Sequence, residues 1–318
     1  MEYITETTPA SSRVIQYTYP ISDTELCSKF EQAIRTIKAE GDTPRIAIFD
    51  TIASLPGVRM PFERLTELCR IHDVLSCIDG AHGVGHIPLD LEKLDPDFFV
   101  SNCHKWLYVP RGCAVFYVAA RNHDLMRSTL PTSHGFVPET RKVTESHGTP
   151  RVPGSKSDFV KNFEFVGTVD NSPVLCLPAA LEWRKQLSWQ GRQGEDAIYA
   201  YNEHLANEAG RSMAYVLGTE VMDNVEATLT KCFFNMVRLP LEFEVHAQND
   251  VSKANWIADR LMKALVKEYD TFLPIIFYGN AWWVRLSAQV YLDKNDFLWG
   301  AEVLKEICRR GAGGDWTE

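Results

Sequence analysis

The sequence predicts an α/β protein in which a mostly parallel β-sheet is followed by a smaller α+β unit. In the first half, short apolar runs suited to buried strands alternate with amphipathic helical patterns, as in chains whose parallel strands are joined by helices. In the second half, neighbouring strand-like runs stand among long helical segments. A chain of 318 residues with 45% hydrophobic content can form both units. We expect a large domain over residues 1–195 and a small C-terminal α+β domain over residues 196–318.

The elements of the first half follow from capping signals and periodicity. The run YITET at 3–7 predicts a short strand. Ser22 and Glu25 form a capping box, and apolar residues repeat on one helical face behind it until Gly41, so a helix is expected there. Another helix is expected to begin at Pro61. Buried strands are predicted at 45–49, 74–78, 97–101 and 113–118.

The second half follows a polar segment, residues 120–158, which we interpret as a long surface excursion because it is rich in Pro, Gly, Ser and Thr. Residues 155–175 predict irregular structure. Helices are then predicted at 178–188, 196–216, 252–268 and 294–309, and strands at 232–241, 272–279 and 282–291.

Composition narrows the classes of function. A net charge of -9 without a cluster of Lys or Arg argues against nucleic acid as a partner. No apolar run approaches the ~20 residues that span a bilayer, and the first residues lack the features of a signal peptide. The eight cysteines are scattered without a CxxC pair, which is typical of reduced thiols in a cytoplasmic protein. Cys103 and His104 alone do not make a zinc ligand set, so no metal site is predicted.

Polar residues follow three of the predicted strands. Asp50, Asp79 and Lys105 each come just after an apolar run. The carboxyl ends of parallel strands open on one rim of the sheet, where ligands bind. Lys105 stands among histidine, tryptophan and leucine, which disfavour its charged form and make it a candidate amine nucleophile. Taken singly, an aspartate after a strand is more often a turn or cap residue, and a lone lysine is usually solvated.

Asp79 and Lys105 together match the chemistry of one cofactor. A buried carboxylate needs a cationic partner, and no arginine lies beside Asp79 in the sequence. The protonated ring nitrogen of pyridoxal 5′-phosphate would satisfy the carboxylate, and Lys105 would supply the Schiff-base amine. In that arrangement His104, with Ser101 or Asn102, would reach the cofactor phosphate.

The runs IDGAH (78–82) and SNCHKW (101–106) resemble the pyridoxal-phosphate enzymes of the class V aminotransferase family. Within that family the chain is most similar to the isopenicillin N epimerase-like branch, which includes fungal hercynylcysteine sulfoxide lyases and a loline-pathway enzyme. Segments 49–63, 165–173 and 284–297 agree with the same family. The resemblance implies an aspartate aminotransferase-type fold (pyridoxal-phosphate fold type I) and a homodimer.

The resemblance also implies roles for the matching residues at the cofactor. Lys105 would form the internal aldimine and later move the Cα proton of the substrate. Asp79 would pair with the ring nitrogen and keep it protonated. His82 would lie near the ring or its phenolic oxygen, although a simple turn residue is the alternative.

Other matching residues would hold the phosphate and the substrate. His104 would bind the phosphate, and Thr168 would complete that site from the partner subunit; a hydroxyl bonded only locally is the alternative for Thr168. Arg285 would clasp the α-carboxylate of the substrate in a bidentate contact, which its planar group suits. The alternative for Arg285 is a surface ion pair.

The implied activity is that of an enzyme acting on an amino acid in fungal secondary or sulfur metabolism. It could be a C–S or C–N lyase, an epimerase, or a β/γ-substitution or cyclisation catalyst. A cysteine desulfurase is less favoured because no cysteine lies in a Gly/Ser-rich loop.

The family normally places further residues ahead of the point where this sequence starts, including a phosphate-binding helix terminus and a ring that stacks on the cofactor. This comparison predicts an N-terminally shortened large domain, exposed apolar surface on its sheet, and weak cofactor binding by the chain alone. His82 and Trp106 are the local rings that could stack in its place. The alternative function is a catalytically impaired or silent homologue that acts as a partner subunit, and a complementing chain is an alternative to the homodimer.

Overall fold

The computed structural model describes residues 1–129, 136 and 156–312, so most of the polar excursion at 120–158 lies outside the described residues. Within the described part, none of the helices is long and apolar enough to cross a bilayer. The strands are β1 (Ile46–Asp50), β2 (Ile52–Ala53), β3 (Val58–Arg59), β4 (Leu75–Asp79), β5 (Phe98–Asn102), β6 (Ala114–Val118), β7 (Ser188–Trp189), β8 (Arg192–Gln193), β9 (Phe234–Arg238), β10 (Ile275–Tyr278) and β11 (Ala281–Ser287).

The described residues also form helices of three types. A 3₁₀ helix spans Ala120–Leu125 and a π-helix spans Phe243–Ala247. The α-helices are α1 (Glu2–Thr7), α2 (Asp23–Ala39), α3 (Phe62–Ile71), α4 (Leu91–Leu94), α5 (Cys103–Trp106), α6 (Asp158–Glu164), α7 (Ser172–Leu175), α8 (Leu177–Gln186), α9 (Glu195–Leu217), α10 (Val251–Tyr269) and α11 (Lys294–Ala312).

The first half forms a four-stranded sheet with the order β1-β4-β5-β6. The pairs β1–β4 and β4–β5 are parallel, and β6 joins β5 antiparallel, so the sheet is mostly parallel, as predicted. The register places Asp50 directly opposite Asp79. Two carboxylates therefore lie side by side at the carboxyl edge of the sheet.

The two faces of this sheet differ in burial. Helix α3 packs on β1 and β4, and α2 packs on α3. The face toward these helices carries Phe49, Ile78 and Phe99, which are buried. The opposite face leaves four large apolar side chains exposed. The run at 45–49, predicted as a buried strand, is therefore buried on one side only. The exposed apolar surface expected on the sheet is present. These side chains are Ile46 (46% exposed), Ile48 (53%), Val100 (41%) and Phe116 (42%).

Helix α2 begins where the capping box predicts. The Ser22 Oγ accepts the backbone N–H of Glu25 at 3.0 Å, which satisfies one of the free donors of the first turn. Behind the helix, Gly41 has φ +86, a left-handed conformation that suits a residue without a Cβ. Helix α3 likewise follows Pro61.

Two sequence predictions of local structure are wrong. The run at 3–7 is the helix α1 and not a strand. None of the described strands pairs with it, and its threonines bond locally: Thr5 Oγ donates to the Glu2 carbonyl at 2.9 Å. Residues 155–175, predicted to be irregular, contain α6 and α7. Ser157 caps α6 by accepting the backbone N–H of Val160 at 3.2 Å.

The second half contains an antiparallel three-stranded sheet with the order β10-β11-β9, packed against α9, α10 and α11. The central strand β11 buries Trp282, Val284 and Leu286 completely. This is the α+β unit that the sequence predicts. Most buried hydrophobic residues of both halves belong to one continuous cluster, and Cys103, Leu107, Val109 and Cys113 form a second, smaller one. The division into domains 1–195 and 196–318 stays a prediction.

Candidate functional site

The carboxyl edge of the four-stranded sheet brings Asp50, Asp79 and Lys105 together. Strand β5 ends at Asn102, and the single turn α5 that follows carries Lys105. Burial lowers the pKa of the Lys105 ammonium; Asp79 and Asp50 oppose this effect, and Arg285 adds to it. The net direction is downward, toward the free amine.

His82 lies in the turn after β4 and contacts Lys105. Its Nε2 is 3.1 Å from the Lys105 Nζ, and its Nδ1 accepts the indole N–H of Trp106 at 3.2 Å. The turn is held by Asp79, whose Oδ1 accepts the backbone N–H of Ala81 at 2.9 Å. Burial, assisted by Lys105 and Arg285, lowers the pKa of His82 to about 3, so the ring is neutral at physiological pH. His82 thus belongs to the Lys105 cluster.

The two carboxylates lack a bonded cation. Burial and the neighbouring Asp79 raise the pKa of Asp50 to about 6, against the effect of Lys105. Across the described ranges, neither Asp50 nor Asp79 forms an ion pair within 4.0 Å. A protonated ring nitrogen is a group of the kind that would compensate this negative charge.

Arg285 on β11 is a half-buried cation without a bonded anion in the described part of the chain. One guanidinium nitrogen, Nη1, donates to the carbonyl of Ser54 at 2.8 Å and to its hydroxyl at 3.2 Å, and the guanidinium lies 4.3 Å from the centre of the Phe234 ring. The buried Nε has no hydrogen-bond partner. A Cβ on Gly57 would lie 2.6 Å from the Arg285 Cδ, so glycine leaves room for this side chain. The surface ion pair considered as an alternative is not formed, and the vacant donors fit a carboxylate.

Three of the four predicted phosphate ligands lie at the end of β5 and in α5, and the fourth, Thr168, was expected to act from the partner subunit. Ser101 is 1% exposed, and its hydroxyl accepts the backbone N–H of Val84 at 3.1 Å. Asn102 stands at the N-cap of α5 without a side-chain cap bond, and His104 Nδ1 lies 3.4 Å from the Cys113 carbonyl. Thr168 is exposed on the connection between α6 and α7 and is hydrogen bonded to none of the other three. Phosphate binding by these residues stays a prediction.

Sequence reasoning missed His86, which is fully buried beside the site. Its Nε2 accepts the backbone N–H of Phe233 at 2.6 Å, and its ring centre lies 4.0 Å from that of Trp106. The sequence feature that could have indicated His86 is a second histidine four residues after His82, in GAHGVGH. Trp106 is 3% exposed, so the expectation that its ring is open for stacking is wrong, because the indole packs inward on His86.

Arg184 was also missed, and it ties three segments together beneath the site. Its side chain is 0% exposed and donates to both carboxylate oxygens of Glu195 at 2.6 Å. It also donates to the carbonyl of Trp106 at 2.7 Å and to that of Gly85 at 3.3 Å. The sequence around Arg184 does not distinguish it from a solvent-exposed charged residue of an amphipathic helix, so its burial could not be predicted.

The donor set fits pyridoxal phosphate. The cofactor's aldehyde requires an amine whose ammonium form is disfavoured, as at Lys105. Its ring nitrogen requires a carboxylate without another cation, as at Asp79. An amino-acid substrate requires a cation with free donors, as at Arg285.

Comparison with known proteins gives a family and a fold. The family model for class V aminotransferases matches residues 16–238. The L-cysteine desulfhydrase-like protein lolT1 of Epichloe uncinata is 40% identical over 96% of this chain and 70% of its own length. The hercynylcysteine sulfoxide lyase of Schizosaccharomyces pombe is 31% identical over 83% of this chain and 59% of its own length. This chain therefore spans between 59% and 70% of these two relatives.

Solved structures share the architecture at low identity. A cysteine desulfurase from Thermococcus onnurineus NA1 superposes with a TM-score of 0.61 at 15% identity, covering 93% of this chain and 66% of that one. An alanine–glyoxylate aminotransferase from a Nostoc species gives a TM-score of 0.59 at 17% identity, covering 89% and 65%. These likenesses confirm the predicted aspartate aminotransferase-type fold.

Proposed function

The chain belongs to the class V aminotransferase family of pyridoxal-phosphate enzymes, and on that premise we propose that it is a lyase that breaks the C–S bond of a cysteine-like amino acid. The observation that carries the proposal is the contact between Lys105 Nζ and neutral His82, beside two carboxylates that form no ion pair with any cation of the described residues. The choice of C–S cleavage over epimerisation or substitution rests on relatives named as a cysteine desulfhydrase-like protein, a sulfoxide lyase and cysteine desulfhydrases.

Each residue of the cluster has a task in this reaction. When bound, pyridoxal phosphate withdraws electrons from the substrate Cα. Lys105 would hold the cofactor through its amine and, once released, would accept the Cα proton. Asp79 would keep the proton on the ring nitrogen, because an ionised carboxylate beside that nitrogen favours its cationic form.

Arg285 would orient the amino acid through its α-carboxylate. The side chain is already immobilised by Ser54 and by the ring of Phe234. Little rotamer freedom is therefore left to lose when a carboxylate binds. With cysteine as the substrate, the reaction consumes one water and yields pyruvate, ammonia and hydrogen sulfide.

Chemical trapping tests the proposal. The purified chain is incubated with pyridoxal phosphate, reduced with borohydride and digested, and the peptides are mapped by mass spectrometry. We expect the label on Lys105, no dominant label in Lys105→Ala, and an unchanged pattern in Lys93→Ala, which removes an exposed lysine on α4. Sulfide release from L-cysteine should require Lys105. Labelling spread over surface lysines, equal in parent and Lys105→Ala, would contradict the proposal and favour a catalytically silent partner subunit.

A further inference from the structure

A three-residue hydrogen-bonded chain links the core to the reactive amine. The indole Nε1 of Trp106 lies 3.2 Å from His82 Nδ1, and His82 Nε2 lies 3.1 Å from Lys105 Nζ. Trp106 is 3% exposed and His82 is 9% exposed, so this chain is buried at its indole end.

The chemistry of the indole sets the direction of the first bond. An indole nitrogen can only donate a hydrogen bond, so His82 Nδ1 must be the acceptor and must carry no proton. A neutral imidazole with a bare Nδ1 carries its proton on Nε2. The doubly protonated ring is excluded by the same contact, because it would set two N–H groups against each other.

The second bond then fixes the state of Lys105. With the proton on His82 Nε2, the hydrogen bond at 3.1 Å requires Lys105 Nζ to accept. An ammonium has three donors and no lone pair, whereas a free amine has one. We infer that Trp106 is a positioning residue that fixes the tautomer of His82 and thereby holds Lys105 as the neutral amine. The inference concerns the chain by itself and would stand even if the proposed lyase activity did not.

The charged neighbours of Lys105 act in opposite directions on its protonation. Asp79 at the end of β4 and Asp50 at the end of β1 favour the ammonium, whereas Arg285 on β11 disfavours it. Burial of the side chain is the largest influence and lowers the pKa of Lys105, so a hydrogen bond donated by His82 adds to an existing preference for the free amine. A donor aimed at the lone pair of Lys105 favours the neutral form, which is the form that attacks a carbonyl carbon.

The remaining neighbours do not compete for the His82 proton. His86 uses its Nε2 to accept the backbone N–H of Phe233, and burial holds its pKa well below the usual value, so it is neutral. The position of Trp106 is itself held by Arg184, which donates to its carbonyl at 2.7 Å. Ring packing on His86 keeps the indole in place.

Trp106→Phe tests the inference because it keeps a ring and removes the donor. In the variant, His82 Nδ1 can carry the proton and Nε2 can accept from a Lys105 ammonium. We expect the pKa of Lys105 to rise, so that the pH profile of its acetylation moves to higher pH and labelling below that pKa slows relative to the parent. The readout is competitive acetylation of the cofactor-free chain with acetic anhydride across pH, quantified on the Lys105 peptide by mass spectrometry.

The matched control is Trp283→Phe, which removes an indole donor to the Tyr278 carbonyl at 3.0 Å away from the cluster and should leave the Lys105 profile unchanged. A second measurement needs no variant: ¹H–¹⁵N spectra of the parent should show His82 neutral and protonated on Nε2. Protonation on Nδ1, or a Lys105 profile in Trp106→Phe that matches the parent, would overturn the inference.

Discussion

The buried Arg184 offers a sharp test of how the site is supported. Arg184→Met keeps an unbranched apolar stem in place of the arginine methylenes and removes four hydrogen bonds, two to Glu195 and one each to the carbonyls of Trp106 and Gly85. The carbonyl of Trp106 would be left buried without its donor, at a cost of about 1–3 kcal/mol. The 3.3 Å bond to Gly85 is long, so we count it at about 1 kcal/mol, the lower end of the same range.

The ion pair must be discounted because one partner is partly in water. Breaking a fully buried pair costs about 3–5 kcal/mol, but the Glu195 side chain is 42% exposed, so water can replace the guanidinium. We assign about 1 kcal/mol to the pair, as for pairs near the surface. The variant should therefore lose about 3–5 kcal/mol of the free energy of unfolding in total.

Urea denaturation of the cofactor-free chain, followed by tryptophan fluorescence, measures this loss. The matched control is Arg309→Met, which breaks a two-point Arg–Glu contact whose arginine side chain is 72% exposed. It should leave the stability essentially unchanged, because exposed ion pairs contribute little. Equal losses in the two variants would refute the reasoning that Arg184 holds the loop after β4 against α5.

Three further predictions concern single positions. Burial and Asp79 raise the pKa of Asp50 to about 6, so its ionisation destabilises the fold as pH rises from about 4, where the unfolded carboxyl ionises, to about 6. Asp50→Asn should therefore gain about 3 kcal/mol at pH 7 and nothing at pH 3, as urea titrations at both values would show. Gly57→Ala should lose about 1–3 kcal/mol by the same assay, because the new Cβ would meet Arg285 at 2.6 Å. Gly300→Ala, inside α11 with its nearest neighbour at 3.6 Å, should instead gain about 0.5–1 kcal/mol, and a loss there would contradict the packing described.

Local signals predicted much of the fold. The capping box at Ser22 and the apolar runs before Asp50 and Asp79 place α2, β1 and β4 to within a residue or two. Such features depend on residues a few positions apart, which a sequence displays directly. The helix at 2–7 was not predicted. A threonine-rich run forms a strand only where a neighbouring strand pairs with it, and the sequence alone does not show whether such a neighbour exists.

The candidate site was predicted in part. Positions after strand ends and in family motifs indicated three of the site residues, Asp79, His82 and Lys105. The structure places the His82 ring in contact with the Lys105 amine. The contributions of Trp106 and Arg184 depend on contacts across 24 and 78 residues of chain, and nothing local marks either residue as a hydrogen-bond partner of the site. Long-range partners of this kind follow from packing and not from pattern.

The partly exposed apolar face of the four-stranded sheet has a practical consequence for handling the protein. One face of this sheet exposes four apolar side chains to water, those of Ile46, Ile48, Val100 and Phe116. Among the described strands, the outer strand β1 also has an unpaired edge. Salts such as ammonium sulfate strengthen apolar association, so they should drive the chains together through this face. The net charge of -9 opposes that association most strongly in dilute salt. Light scattering across an ammonium sulfate series should therefore show particle mass growing with salt, and replacing Ile48 by lysine should delay the growth.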